Sequence, residues 1–316
     1  MVVVGASSGI GRAAAAGFAA AGAGVVCASR SALALEALVA EITAAGGRAV
    51  AVPTDITDPA ALHRLGEAAV ARFGRVDTWV NVAAVSVYGT VEQVTDGEFR
   101  RVLEVNFLGH VSATRVALPL LRAAGGGVLI GVASVEGVRA VPLHGPYSAS
   151  KFALRAFYDA LRMEQAADGA PVAVCTILPA SVGTPFFEHS RSKLGVMAKP
   201  PPPVYAPDLV ARTIVRAATH PRREIPVGGA AVGFLLGQRL SPALTDVVLS
   251  LIGSRVQRSD RPDNQTDILD TPTPGPGQVE GDHADRLIRR DLYTTLAGRF
   301  LRPGELLLRV RAALAH

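Results

Sequence analysis

The stretch Val2-Val3-Val4-Gly5-Ala6-Ser7-Ser8-Gly9-Ile10-Gly11 decides the architecture. Three β-branched apolar residues in a row make a short buried strand. A glycine-rich turn follows and runs directly into an alanine-rich helical stretch over residues 10–21. Glycines allow a tight turn and a close backbone approach to a pyrophosphate. The helix N-terminus adds unpaired N–H groups and a partial positive charge. Between a strand and a helix, at the start of a βαβ unit, such a turn is a candidate dinucleotide cradle. On glycine content alone, an ordinary βα loop of small residues would read the same way.

Outward from this turn the pattern repeats. Apolar runs at 25–29, 49–52, 78–81, 128–133 and 173–178 read as buried strands. Between them, 32–45, 59–73, 96–122 and 147–167 read as amphipathic helices, several ending at a glycine such as Gly22, Gly46 or Gly74. Alternation of this kind predicts an α/β protein, with a parallel sheet covered by helices on both faces. A helix over 206–219 and a strand at 224–227 follow. The chain then divides into four parts: a Rossmann-like domain at 1–230, an apolar helical segment at 231–253, a Pro/Gly/Asp-rich linker or arm at 254–282, and a basic amphipathic helical tail at 283–316. The first strand is short, which leaves open a start upstream of Met1.

Composition narrows the class. Of 316 residues 49% are hydrophobic and 19% charged, which excludes a disordered or fibrous chain. The net charge of +5 is too mild to imply nucleic-acid binding. Two cysteines, Cys27 and Cys175, fall in separate expected strands, so neither a disulfide framework nor a Cys-x-x-Cys site is expected. Scattered histidines argue against a metal site. With no signal peptide before the first strand and no membrane span, a reducing, cytoplasmic setting is expected. Only three residues are lysines, Lys151, Lys193 and Lys199, so a lysine in a pocket stands out.

Tyr147-Ser148-Ala149-Ser150-Lys151 places a tyrosine and a lysine at i and i+4, on one helix face. A free phenol, with a pKa of about 10, is a poor base at neutral pH, and a nearby ammonium favours its phenolate. Ser134 ends an apolar strand at the carboxyl edge, where open α/β sheets bind ligands. Asn106 is an amide in an otherwise apolar stretch of helix, either a satisfied buried polar group or a functional one. At the end of the second strand, Ser29 stands where NAD-binding proteins carry a carboxylate, and Arg30 follows it. A guanidinium suits a 2′-phosphate, so NADP(H) is expected in preference to NAD(H).

Together, the Gly-x3-Gly-x-Gly turn, Asn81-Val82-Ala83-Ala84, Ser134 and the Tyr147/Lys151 pair resemble the short-chain dehydrogenase/reductase family over residues 1–230. Val4, Val82, Ala84 and Ala180 depart from its usual residues. The resemblance implies a doubly wound Rossmann-like sheet and a hydride-transfer enzyme acting on alcohols or carbonyls. It makes Tyr147 the general acid/base, Lys151 its pKa-lowering partner and a ligand of the nicotinamide ribose, and Ser134 the group that orients the substrate carbonyl. It gives Asn106 a helix kink supporting a proton relay. It implies cofactor contacts from Gly5, Ser7, Ser8, Gly9, Ile10, Gly11, Ser29, Arg30, Asp55, Ile56, Asn81, Ala83, Val182 and Thr184, besides Tyr147 and Lys151. A homodimer or homotetramer packed through the fourth and fifth helices is also implied.

The expected substrate pocket is apolar: Val85, Val87, Tyr88, Val135, Val138, Val141, Leu143, His144, Phe186 and Phe187. It suggests a hydrophobic ketone, aldehyde or alcohol, with 186–203 as a lid. The tail is expected either to dock on this subunit or a sister, or to rest on an anionic membrane surface. The alternative to an NADPH-dependent reductase or alcohol dehydrogenase is a non-catalytic dinucleotide sensor or scaffold on the same fold. The Tyr147/Lys151 pair argues against it.

Overall fold

The computed structural model describes residues 1–282 and 287–295. Val2–Val4 forms β1, fully buried, and the glycine turn leads from it into α1 (Gly9–Ala20). Next come β2 (Gly24–Ser29), α2 (Ala32–Ala44), β3 (Arg48–Pro53), α3 (Pro59–Phe73) and β4 (Thr78–Asn81). Side chains fix the helix starts: Ser31 accepts from the N–H of Ala34, and Asp58 from that of Ala60. Gly74 ends α3 at φ 79°, a left-handed conformation that costs glycine no Cβ clash.

A two-residue strand, β5 (Val87–Tyr88), precedes α4 (Asp96–Leu103), which opens on a Thr95/Glu98 capping box. The single helix expected over 96–122 is divided: α4 passes through a π-helical turn, Glu104–Leu108, into α5 (Gly109–Ala123). The wider turn carries Asn106, whose side chain bonds to another segment. Then follow β6 (Gly127–Val132), α6 (Gly145–Ala167), β7 (Val172–Pro179), β8 (Arg191–Ser192), β9 (Val196–Ala198), α7 (Pro207–Ala217), β10 (Glu224–Val227), α8 (Gly229–Leu240), α9 (Pro242–Val256) and β11 (Arg258–Pro262).

Seven strands form one sheet in the order β10-β7-β6-β4-β1-β2-β3, every neighbouring pair parallel. Alternate valines of β1 feed two cores. Val2 and Val4 pack with Leu62, Leu65, Leu121 and Leu154 on one face; Val3 packs with Phe18, Leu35, Leu38 and Ile214 on the other. The chain is a Rossmann-like α/β protein. Chain direction across the sheet reverses at β1, which lies between β2 and β4, and this opens a crevice at the carboxyl ends of the strands. Cys27 and Cys175 are free and buried on β2 and β7; burial pushes their thiols up to about 12 and about 11.

Outside the sheet, β8 pairs with β5 and β9 with β11, so the segment expected as a lid is tied to the body by short strand pairings. The helical tail expected over 283–316 is not helical at residues 287–291: Ile288 there forms a β-bridge with Tyr205. A backbone hydrogen-bonded to a neighbouring strand cannot also make helical bonds. Asp291 and Thr294 accept from the N–H groups of Gly229 and Gly228 at the start of α8. The rest of the expected tail, 283–286 and 296–316, lies outside the described residues. No described helix is long and apolar enough to cross a membrane.

Candidate active site

A cavity of about 780 Å³ occupies the crevice, within the usual size range for small-molecule sites. Gly5, Ser7, Ser8, Gly9, Ile10 and Gly11 line it, as do Ser29, Arg30, Asp55, Ile56, Ala83, Val182 and Thr184. Ser134, Tyr147 and Lys151 line it as well. Two expected site residues do not. Asn81 is fully buried in the sheet; its Oδ1 accepts from Trp79 Nε1 at 2.8 Å and its Nδ2 donates to the Tyr158 hydroxyl. Asn106 is likewise fully buried behind the wall. Its Oδ1 accepts from the Val85 N–H at 2.8 Å, and its Nδ2 donates to the Val85 carbonyl at 2.9 Å and to Ser150 Oγ at 3.1 Å. It therefore stitches the segment after β4 to the π-helical turn and to α6. Of the expected pocket residues, Val85, Tyr88, Val135, Val141, His144, Phe186 and Phe187 line the cavity; Val87, Val138 and Leu143 pack elsewhere.

The glycine turn is shaped for close approach. A Cβ on Gly11 would lie 2.0 Å from the Gly5 carbonyl oxygen, and one on Gly5 2.5 Å from Ala83 N at φ 99°. Two buried hydroxyl oxygens, Ser29 Oγ and Ser181 Oγ, lie on residues lining this cavity and have no protein partner. An orphaned buried hydroxyl costs free energy unless a ligand or water meets it. Bare glycine backbone, a helix N-terminus and unpaired hydroxyls along one groove fit a dinucleotide: Gly5–Gly11 would hold the pyrophosphate, and Ser29, Arg30 and Asp55 the adenosine end.

At the reacting end, Ser134 caps a one-turn helix (Val135–Gly137), its Oγ accepting from the Glu136 N–H at 3.1 Å. The same hydroxyl acts on the Tyr147 phenol, favouring its ionised form. Lys151, 1% exposed, donates to the Val132 carbonyl at 3.0 Å, its Nζ 5.4 Å from the Tyr147 ring centre. Burial pushes Lys151 down to about 7, against the opposing pull of the Glu136 carboxylate. Burial, helped by that same carboxylate, raises the Tyr147 phenol well above its ordinary value; the Ser134 hydroxyl opposes the rise. The half-buried phenol is thus a proton donor at neutral pH.

Glu136 and the role of His144 escaped the sequence reading. His144 is stacked between Tyr88 and Tyr147, with ring centres 4.1 and 4.4 Å away. Its Nδ1 lies 3.0 Å from both Glu136 oxygens, and its Nε2 is hydrogen-bonded to Ser86 Oγ. Ser148 Oγ also donates to Glu136, at 2.7 Å. The only sequence signal was the position of Glu136 two residues after Ser134. Phe234, Val248, Leu249 and Ile252, from α8 and α9, form a further apolar wall. Val248 and Ile252 are about half-exposed, which marks a mouth, and Leu244 and Leu251 beside them are open to solvent.

Fold and cavity together define a dinucleotide-binding protein of the Rossmann class. A family model described as short chain dehydrogenase matches residues 1–195. An uncharacterized oxidoreductase, YxnA, of Bacillus subtilis is 38% identical over 266 residues, 84% of this chain and 75% of that protein. Dehydrogenase/reductase SDR family member 7B of Bos taurus is 32% identical over 71% of this chain and 72% of its own length. A short-chain dehydrogenase/reductase of Burkholderia phymatum, solved with NAD, superposes with a TM-score of 0.69 at 26% identity, covering 78% of this chain and 94% of that one. An alcohol dehydrogenase of Thermococcus sibiricus, complexed with 5-hydroxy-NADP, gives 0.62 at 25%, covering 71% and 93%. The chain belongs to the short-chain dehydrogenase/reductase family of oxidoreductases.

Proposed function

We propose that this protein is an NADP(H)-dependent reductase of hydrophobic ketones or aldehydes, or in reverse a dehydrogenase of the corresponding alcohols. The observation that carries this is the meeting of Ser134, Tyr147 and buried Lys151 at the cavity that holds the glycine turn. The nicotinamide, when bound, supplies or accepts the hydride. Ser134 donates a hydrogen bond to the substrate oxygen and orients it. Tyr147 gives its proton to that oxygen as negative charge develops, and takes one back in the oxidising direction. Lys151 stabilises the phenolate so formed, and Asn106 keeps the wall around it in place.

Preference for NADP(H) rests on Ser29 in place of a carboxylate and on Arg30 beside it, since a carboxylate there would repel a 2′-phosphate. The aromatic and aliphatic walls support an apolar substrate, and the mouth at α9 opens beside an apolar surface. Glu136 works against a carboxylate-bearing substrate near Tyr147.

Tyr147→Phe tests the chemistry. Turnover of a panel of apolar carbonyls with NADPH should vanish while fluorescence titration shows NADPH still bound. Retained turnover refutes the role of Tyr147. A wild type that binds NADPH tightly yet turns over nothing in the panel points instead to a dinucleotide sensor. Tighter binding of NADH than of NADPH refutes the cofactor preference.

A further inference from the structure

Residues 263–282, rich in proline, glycine and aspartate, do not trail away from the domain. One end is fastened beside the adenosine end of the groove. Leu269 is 1% exposed in the core, and Asp267 forms a two-pronged pair with Arg191 at 2.8 and 3.2 Å. The carbonyls of Ile268, Leu269 and Asp270 all accept from the Arg30 guanidinium. The other end is fastened at the pyrophosphate turn. Arg12 donates to the Pro276 carbonyl at 2.9 Å, and the Gly9 N–H donates to the Gln278 carbonyl at 2.9 Å. Beyond it, the Gly281 N–H donates to the Gly183 carbonyl at 3.1 Å. Between the anchors, residues 272–275 line the same cavity as the glycine turn. Gly277 lies so close that a Cβ on it would come 2.1 Å from the Ser7 carbonyl oxygen, and its φ is 73°.

We infer that residues 268–278 are part of the dinucleotide site: a strap that closes over the adenosine and pyrophosphate portions of NAD(P)(H). The cofactor then lies in the cavity that the glycine turn and the strap line together, and leaves only when the strap lifts. The inference rests on the proposed dinucleotide chemistry and goes beyond it, because no part of that chemistry requires a cover. The space left under the strap points to a cover rather than a plug. The cavity stays large with the strap in place, and Ser29 Oγ, on a residue lining it, remains without a partner. Alternating prolines, Pro272, Pro274 and Pro276, limit the backbone freedom lost when the strap seats. Arg30 acquires a second duty. Three of its bonds go to strap carbonyls, so the side chain offered to a 2′-phosphate also ties down the strap.

The test uses the full chain, with dissociation of NADPH followed by stopped-flow fluorescence. Gly277→Val cannot seat beside Ser7 without moving the strap, and should speed dissociation by about tenfold. Asp267→Asn loosens the far anchor without approaching the turn, and should speed dissociation several-fold with the melting temperature nearly unchanged. Amide hydrogen exchange across 268–278 should slow when NADPH is added. Wild-type dissociation rates in both folded variants overturn the strap while leaving the dinucleotide chemistry intact. Faster exchange in this segment on adding NADPH also overturns it, by showing a plug that the cofactor expels. Failure of the wild type to bind either dinucleotide overturns the strap and the proposed function together.

Discussion

Replacing Lys151 by methionine should make the protein more stable at pH 7 and inactive. Lys151 is 1% exposed and its pKa is pushed down to about 7 from 10.5. The unfolded chain holds that proton up to about pH 10.5, whereas the folded one gives it up above about 7. Folding with Lys151 at pH 7 therefore costs about 4 kcal/mol, taking 1.36 kcal/mol per pH unit, and the cost falls to about 1.5 kcal/mol at pH 9.5. The sign follows: wild-type stability rises with pH between about 7 and 10.5, because the unfolded state binds more protons there. Methionine fills nearly the same volume but loses the bond to the Val132 carbonyl, a loss of about 2 kcal/mol. The net gain is about 2 kcal/mol at pH 7, which raises Tm by about 4 °C, and it disappears by pH 9.5. Urea unfolding of both proteins at pH 7 and 9.5 measures the difference. Tyr147, Glu136 and His110, which interact electrostatically with Lys151 or share its surroundings, are present in both and largely cancel. A Lys151→Met protein that is less stable at pH 7, or a difference that does not change with pH, would refute the reasoning.

Three further outcomes are expected. Glu136→Gln removes a carboxylate that holds the Tyr147 phenol up, so the pH–rate limb for alcohol oxidation should move to lower pH, measured as kcat/KM against pH. Gly11→Ala places a Cβ 2.0 Å from the Gly5 carbonyl oxygen; it should cost about 3 kcal/mol in urea unfolding and weaken dinucleotide binding in fluorescence titration. Asn106→Ala leaves the buried N–H and carbonyl of Val85 without their side-chain partners. It should lose about 3 kcal/mol of stability, while Asn106→Asp, which keeps the acceptor, should lose less at low pH.

Much of the fold was legible because its signals are local. Apolar runs, capping residues such as Ser31 and Asp58, and the glycine at the end of α3 act within a few residues. So does the i, i+4 spacing that puts Tyr147 and Lys151 on one face of α6. What a local pattern does not show is which partner a buried amide takes. Asn81, expected to lie along the cofactor, bonds within the sheet to Trp79 and to Tyr158, while Asn106, expected at a helix kink, sits in the π-helical turn with its side chain on the Val85 backbone. The helix at 96–122 showed continuous periodicity, which does not register one widened turn.

By itself, the sequence determined the βα alternation, the glycine cradle and the Tyr147/Lys151 pair, each written in residues that act on near neighbours. Only the tertiary structure decided that Glu136 faces Tyr147 and Lys151, that α8 and α9 supply an apolar wall, and that residues 268–278 lie across the groove. These depend on backbone carbonyls and on burial. A carbonyl at Ile268 or Gln278 is the same in every sequence, and what it binds is set by chain returning from more than two hundred residues away.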